Sequence, residues 1–338
     1  MQTLHREKSF MKFKQRSLNL TGRILLGLIL LTSLASLVTF AQDRASTGSD
    51  YIIFVSARTG NSELFAMNLN DLSVSQLTNT GRSHITPFVA TGAQVATFAS
   101  REGSSYEIFS ADVSASWRSN RPMFATVNRL TVNTIEETNP TLTTDGSKMS
   151  FSANGAITMM DSSGDNRREV VPADGFLNVA PSISPDGKFI AFLSNRDGAN
   201  EVWTVNTATS ELKQITHGGA VIGGISWTPD EKRIVFTTTA TTSKLTGIAM
   251  ADVASGSVTV LTESGDGEAA VSPDGSRIVF TSTRSGDPEL YLLNLNTNSL
   301  KRLTYEAGPD GTATFVSPAV DSIRRNAPSR QGLTRSRN

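Results

Sequence analysis

Two stretches decide the fold: Ser184-Pro185-Asp186-Gly187-Lys188-Phe189-Ile190-Ala191-Phe192 and Ser272-Pro273-Asp274-Gly275-Ser276-Arg277-Ile278-Val279-Phe280. Each continues through Ser-x-Arg-x-Gly, a Glu, an aromatic-containing strand and an Asn, and closes on Ile215-Thr216 or Leu303-Thr304. Weaker copies keep the register. The aromatic of the second strand recurs at Phe54, Phe98, Phe151, Phe192, Phe236 and Phe280. The turn residue after the third strand recurs at Asn68, Asp112, Asp161, Asn206, Asp252 and Asn294, at intervals of 44, 49, 45, 46 and 42 residues. Two residue classes held in step at that period mark six copies of one unit.

Each unit reads as four short strands. In the fourth copy they are 180–185, 188–194, 201–206 and 211–216, with an Asp186-Gly187 turn between the first two. Apolar alternation punctuated by Asp-Gly is the signal of antiparallel hairpins. Four-stranded units of this length predict the blades of a propeller, an all-β fold. The first copy starts at Tyr51, already in its second strand, while residues 314–318 form a first strand with no successor. Placing 314–318 beside the strand at Tyr51 gives six complete blades and removes two open sheet edges. Deleting 312–338 is therefore expected to abolish folding. Blades one, two, four and six also carry an Arg ahead of a Glu: Arg58 and Glu63, Arg101 and Glu107, Arg196 and Glu201, Arg284 and Glu289. Blades three and five lack both members, so an ion pair across each loop is expected.

The ends differ from the middle. Residues 1–41 place Arg6, Lys8, Lys12, Lys14, Arg16 and Arg23 ahead of an apolar run from Ile24 to Phe40. Thr39 and Ala41 suit signal-peptidase cleavage before Gln42, so 1–41 reads as an export signal. An uncleaved membrane anchor is the alternative, and Met11 is a second possible start. Residues 42–50 form a short linker, 51–320 the propeller, and 321–338 a disordered tail with five arginines. The 31 basic and 31 acidic residues of the whole chain thus conceal a net of −9 over 42–320. That excludes a globally basic nucleic-acid binder. With no cysteine and three histidines, disulfides, thiol catalysis and cysteine-ligated zinc are excluded as well.

The pattern Ser-Pro-Asp-Gly-x-x-Ile-x-Phe-x-Ser-x-Arg-x-Gly-x-x-Glu-Leu-Tyr-x-x-Asn resembles the WD-like repeat of the TolB-like six-bladed propeller family, over about residues 51–318. The resemblance is strong in blades four and six and degenerate in two and three. It implies an exported protein that works by binding. The family's α/β domain has no counterpart between the expected leader and the first blade.

Loops from a fourth strand to the next first strand gather at one mouth of a propeller channel. Here they carry Arg82, His84, Glu136, Glu137, Asn139, Asp174, Asn178, His217, Asp266, Glu268, Glu306 and Asp310. Acids outnumber bases, so the mouth is expected to be negative and to suit a basic protein or peptide. His84 and His217 with Glu136 or Asp266 are the alternative as a zinc site, and Asp266-Gly267-Glu268 offers oxygens to calcium; no cofactor is the leading expectation. No nucleophile elbow, His-Glu-x-x-His or phosphate loop occurs, so no catalytic residue is assigned. The leading expectation is a monomeric, non-enzymatic binding scaffold, touching membrane only through an uncleaved leader. A propeller hydrolase or lyase with a loop-borne metal, acting on peptide or carbohydrate, and an extracytoplasmic sensor module are the alternatives. The insertion from Ser114 to Val127, with Trp117, Arg118, Arg121, Pro122, Met123 and Phe124, is a second possible binding edge.

Overall fold

The computed structural model describes residues 50–113, 122–218, 220–239 and 245–316. All lie within the compact unit Gly48–Asn338. The leader, most of the linker, residues 114–121 of the insertion, the end of the closing segment and the tail lie outside the described residues.

Twenty-four strands make six four-stranded antiparallel sheets. Blade 1 holds β1 (Tyr51–Ser56), β2 (Glu63–Asn68) and β3 (Val74–Gln76). Blade 2 runs β4 (His84–Ala90), β5 (Val95–Glu102), β6 (Ser105–Asp112) and β7 (Val127–Arg129). Blade 3 runs β8 (Glu137–Leu142), β9 (Lys148–Ala153), β10 (Ala156–Asp161) and β11 (Arg168–Val171). Blade 4 runs β12 (Asn178–Ile183), β13 (Phe189–Ser194), β14 (Glu201–Asn206) and β15 (Leu212–Gln214). Blade 5 runs β16 (Val221–Trp227), β17 (Arg233–Thr239), β18 (Thr246–Asp252) and β19 (Val258–Val260). Blade 6 runs β20 (Asp266–Val271), β21 (Arg277–Ser282), β22 (Glu289–Asn294) and β23 (Ser299–Arg302). The last strand, β24 (Asp310–Val316), joins blade 1 by pairing antiparallel with β1, Tyr51 opposite Val316 and Ser56 opposite Asp310. Ring closure is therefore as the sequence predicts, with the closing strand starting four residues earlier than expected.

The blades are held by their seams. Six buried apolar clusters each join two adjacent blades. In β1, Ile52 and Phe54 pack toward blade 6 while Tyr51 and Ile53 pack toward blade 2. A strand sandwiched on both faces needs apolar residues at consecutive positions, and this is why the middle strands read as short continuous apolar runs. The recurring phenylalanines sit in these seams; Phe54, Phe98, Phe151, Phe192 and Phe280 are fully buried.

The Ser-Pro-Asp-Gly motif makes the turn from the first to the second strand. Asp186 Oδ1 accepts from Ser184 Oγ at 2.8 Å and from the Lys188 N–H at 3.0 Å, and Gly187 takes φ +76°. Asp274 repeats this with Ser272 and Ser276, and Asp145 with Thr143 and Ser147. A side-chain oxygen closing its own turn explains the motif without any ligand. The motif prolines Pro185, Pro229 and Pro273 line one end of the central channel.

Candidate functional site: the channel mouth

The six inner strands β4, β8, β12, β16, β20 and β24 pack in succession around the axis. Because strands alternate in direction, the loops before each inner strand and those between second and third strands emerge on one face. Every inner strand pairing is interrupted there by a bulge. The bulged residue has left-handed φ in each: Thr86 50°, Asn139 57°, Ala180 51°, Gly224 61°, Glu268 52° and Thr312 45°. Six bulges turn these residues together onto a cavity of about 190 Å³ at the mouth of the channel. Five are neutral, and Glu268 is the one carboxylate in the ring. Its Oε2 accepts from Thr281 Oγ1 at 3.0 Å, from the Thr312 N–H at 2.9 Å and from Thr312 Oγ1 at 3.0 Å.

One turn of strand earlier, the inner strands begin with a second ring that is buried. His84, Glu137, Asn178, Asp266 and Asp310 are between 0 and 3% exposed. Here the expected loop ion pairs are corrected. Arg58 reaches Asp310 at 2.9 Å and also donates to Ser56 Oγ; Arg284 makes a two-pronged contact with Asp266, at 2.6 and 2.7 Å. Arg196 donates to Asn178 Oδ1 at 2.9 Å and lies 3.7 Å from Asp174. The glutamates serve the opposite side. Glu63 Oε1 accepts the N–H groups of Thr80 and Gly81, Glu107 accepts the N–H of Asn133, and Glu201 and Glu289 accept from Thr216 and Thr304. The physical reason is donor supply. Each glutamate is already served from its own side by loop N–H or hydroxyl groups and, for Glu107 and Glu289, by Arg129 and Arg302 as well, which leaves the motif guanidinium to the buried inner-strand group. Each such Arg also lies over seam aromatics, Arg58 at 5.1 Å from the Phe65 ring and Arg284 at 4.9 Å from that of Tyr291.

Blades 2 and 3 show the rule by exception. Blade 3 lacks the Ser-x-Arg, and Arg167, just ahead of β11, reaches Glu137 at 2.6 Å instead. In blade 2 the inner-strand acid is replaced by His84, and Arg101 turns onto Tyr106 at 5.1 Å. His84 Nε2 lies 2.7 Å from Thr80 Oγ1 and 3.4 Å from Glu63, and its Nδ1 is buried without a hydrogen-bond partner. Burial pushes the His84 pKa down, with Arg82 adding to it; Glu63 and Glu102 pull the other way. At Asp174, burial works to raise the pKa, yet the Asn178 amide, the Phe176 N–H and Arg196 hold it below the ordinary carboxylate value.

The predicted mouth residues thus divide. Arg82, Glu136, Asp174, His217, Glu268 and Glu306 are exposed on the mouth face, Asn139 is half-buried in the channel ring, and Arg82 is paired with Glu102. His84, Glu137, Asn178, Asp266 and Asp310 lie beneath as anchors. His84 belongs to blade 2 and His217 to the loop between blades 4 and 5, across the ring. Among the described residues, no group of three His, Asp or Glu side chains is arranged to hold a metal ion. What sequence reasoning missed is apolar. The loops of this face expose Val132, Ile135, Phe176, Leu177 and Tyr305, and the start of β16 exposes Ile222. The remaining exposed aliphatics lie mostly on outer strands, for example Val74, Leu212, Val258 and Leu300. A run such as Phe176-Leu177 outside any predicted strand was the available signal.

Comparison with known proteins agrees with this architecture. The TolB beta propeller domain matches residues 159–325. A TolB homolog of Chlorobium luteolum is 26% identical over 194 residues, covering 53% of this chain and 39% of that one. The Tol-Pal system protein TolB of Francisella tularensis subsp. holarctica is 30% identical over 141 residues, covering 41% of this chain and 32% of that one. The chain therefore spans about a third of the length of these curated relatives. The crystal structure of TolB from Acinetobacter baumannii superimposes with TM-score 0.68 at 19% identity, covering 79% of this chain and 66% of that one. With six blades and a closing strand in blade 1, the chain is a six-bladed β-propeller, similar over residues 159–325 to the TolB beta propeller domain.

Proposed function

We propose that this propeller is an exported, non-enzymatic scaffold that captures a protein or peptide, basic in charge, through its mouth face. The carrying observation is the composition of that face. Phe176, Leu177, Ile135, Val132, Ile222 and Tyr305 stand exposed among the exposed acids Glu136, Asp174, Glu268 and Glu306. Aromatic and aliphatic anchors interleaved with predominantly acidic charge supply both the affinity and the steering that a protein partner needs. Beneath them buried Arg-centred anchors fix the inner strands of blades 1, 3, 4 and 6, so the surface is presented by a stiff ring.

The test is capture from an envelope extract by immobilised protein, in the mature form expected to begin at Gln42. Phe176→Ser with Tyr305→Ser, and separately Glu136→Lys with Glu268→Lys, should each lose the captured partner while the melting temperature holds. Val258→Ser on outer strand β19 should capture as the wild type does. A partner retained by both mouth variants would show that this face is not the site.

A further inference from the structure

The six seams of the mouth are not equivalent. The residue just before the bulge is Ile85, Thr138 and Val179 in blades 2, 3 and 4, but Gly223, Gly267 and Gly311 in blades 5, 6 and 1. An open groove of about 400 Å³ runs from Thr246 of blade 5 past blade 6 to blade 1, beside two of these glycines. Gly267 and Gly311 line it, and it meets the channel at Glu268 and Thr312, which line both cavities.

The polar groups of this groove are acceptors in excess. Glu268 is held in place through Oε2 by three donors, and that side chain is exposed to the groove's solvent. Asp310 also lines the groove; its side chain is fully buried, its Oδ2 is paired with Arg58 and its Oδ1 has no hydrogen-bond partner. Hydroxyls of Ser62, Thr246 and Thr283 stand around the walls. Among the described residues no Lys or Arg lines it. Glu268 is the groove's exposed carboxylate, so a ligand seated against it brings the positive charge and its N–H donors itself. Glycine backbone on two strands lets an extended chain approach closely.

We infer that this groove is the specificity pocket of the mouth: it takes a lysine or arginine side chain of an extended peptide, seated against Glu268. The inference rests on the mouth-binding reading and deepens it. Glu268→Gln keeps shape and removes the charge. Gly267→Val restores the bulk that Val179 has in blade 4 and narrows the blade 5 side of the groove; a Cβ there meets only the Thr237 side chain of blade 5, at an ordinary contact of 3.4 Å.

A displayed random heptapeptide library panned on the purified protein tests it. Enriched peptides should share a Lys or Arg at one position, and their affinity, read by fluorescence polarisation, should fall about tenfold or more on Glu268→Gln. Gly267→Val should abolish binding with the fold retained by circular dichroism; were that variant to misfold, the isosteric Glu268→Gln still decides. Enriched peptides without a shared basic position, or with unchanged affinity for Glu268→Gln, overturn the inference. Peptides that lose binding to the Phe176→Ser, Tyr305→Ser protein but not to Glu268→Gln refute the groove alone and leave the mouth reading standing. A library that enriches nothing also refutes the groove, and the capture experiment then judges the mouth.

Discussion

Arg58 offers the sharpest test of how the ring is fastened. Its Nη2 lies 2.9 Å from Oδ2 of Asp310, whose side chain is 0% exposed. Asp310 sits on the closing strand and Arg58 on the loop after β1, so this pair bridges the two ends of the described chain. Replacing Arg58 by Ala strands a buried carboxylate, a loss of about 3–5 kcal/mol. The stacking of its guanidinium over the Phe54 and Phe65 rings, at 5.5 and 5.1 Å, disappears as well; it adds about 0.5–1 kcal/mol. Asp310→Ala should cost less, about 1–2 kcal/mol, because the remaining guanidinium can turn to Ser56 and water. The double variant should exceed Asp310→Ala only by the ring stacking, so the coupling energy is about 3–5 kcal/mol. Glu63, anchored on the Thr80 and Gly81 N–H groups, should couple to Arg58 by less than about 0.5 kcal/mol. Urea unfolding of both cycles at pH 7 measures these values, and Arg58→Ala alone should lower the melting temperature by roughly 7–24 °C. A larger coupling to Glu63 than to Asp310 would refute the reasoning and restore the pairing that sequence proximity suggests.

Two further outcomes follow from the same geometry. Truncation after Gly311 removes Ala313, Phe315 and Val316 from two seam clusters and opens β1 as an edge; the shortened protein should show no cooperative melting, while one ending at Val320 should melt like the full chain. A truncation at 311 with unchanged melting would contradict ring closure by β24. His84 gives a pH signature. Its folded pKa is lowered chiefly by burial, so the unfolded chain takes up the proton first as pH falls. Stability should therefore be level above about pH 6.5 and decline below it, more steeply in the wild type than in His84→Gln. Parallel urea midpoints of the two proteins between about pH 6.5 and 5 would count against this assignment.

The repeat, the strand count and the closure were legible in the sequence because they depend on local chemistry. An Asp-Gly turn forms from its own side chain and backbone, and the seam phenylalanines recur with the blade. Strand ends were less legible. The expected first strand of blade 4 began at Ala180, whereas β12 begins at Asn178. The bulge at Ala180, with φ 51°, breaks the alternation on which such a reading depends. The mouth loops could be located by order along the chain, but not which of their residues face solvent. Glu136 and Glu137 are neighbours in sequence; one is exposed and the other fully buried against Arg167.

By itself, then, the sequence determined the blade and its number, since both are set by turn chemistry and apolar period. It also determined the charge of the middle of the chain. Only the tertiary structure decided what the charges do. Arg58 lies five residues from Glu63, yet its buried partner Asp310 is 252 residues away, because ring closure brings a carboxylate without local donors beside a guanidinium. In the same way, glycines scattered at 267 and 311 become one groove only when blades 6 and 1 are adjacent. Pairing of this kind is decided by which buried group still needs a partner after folding, and linear spacing carries no record of that need.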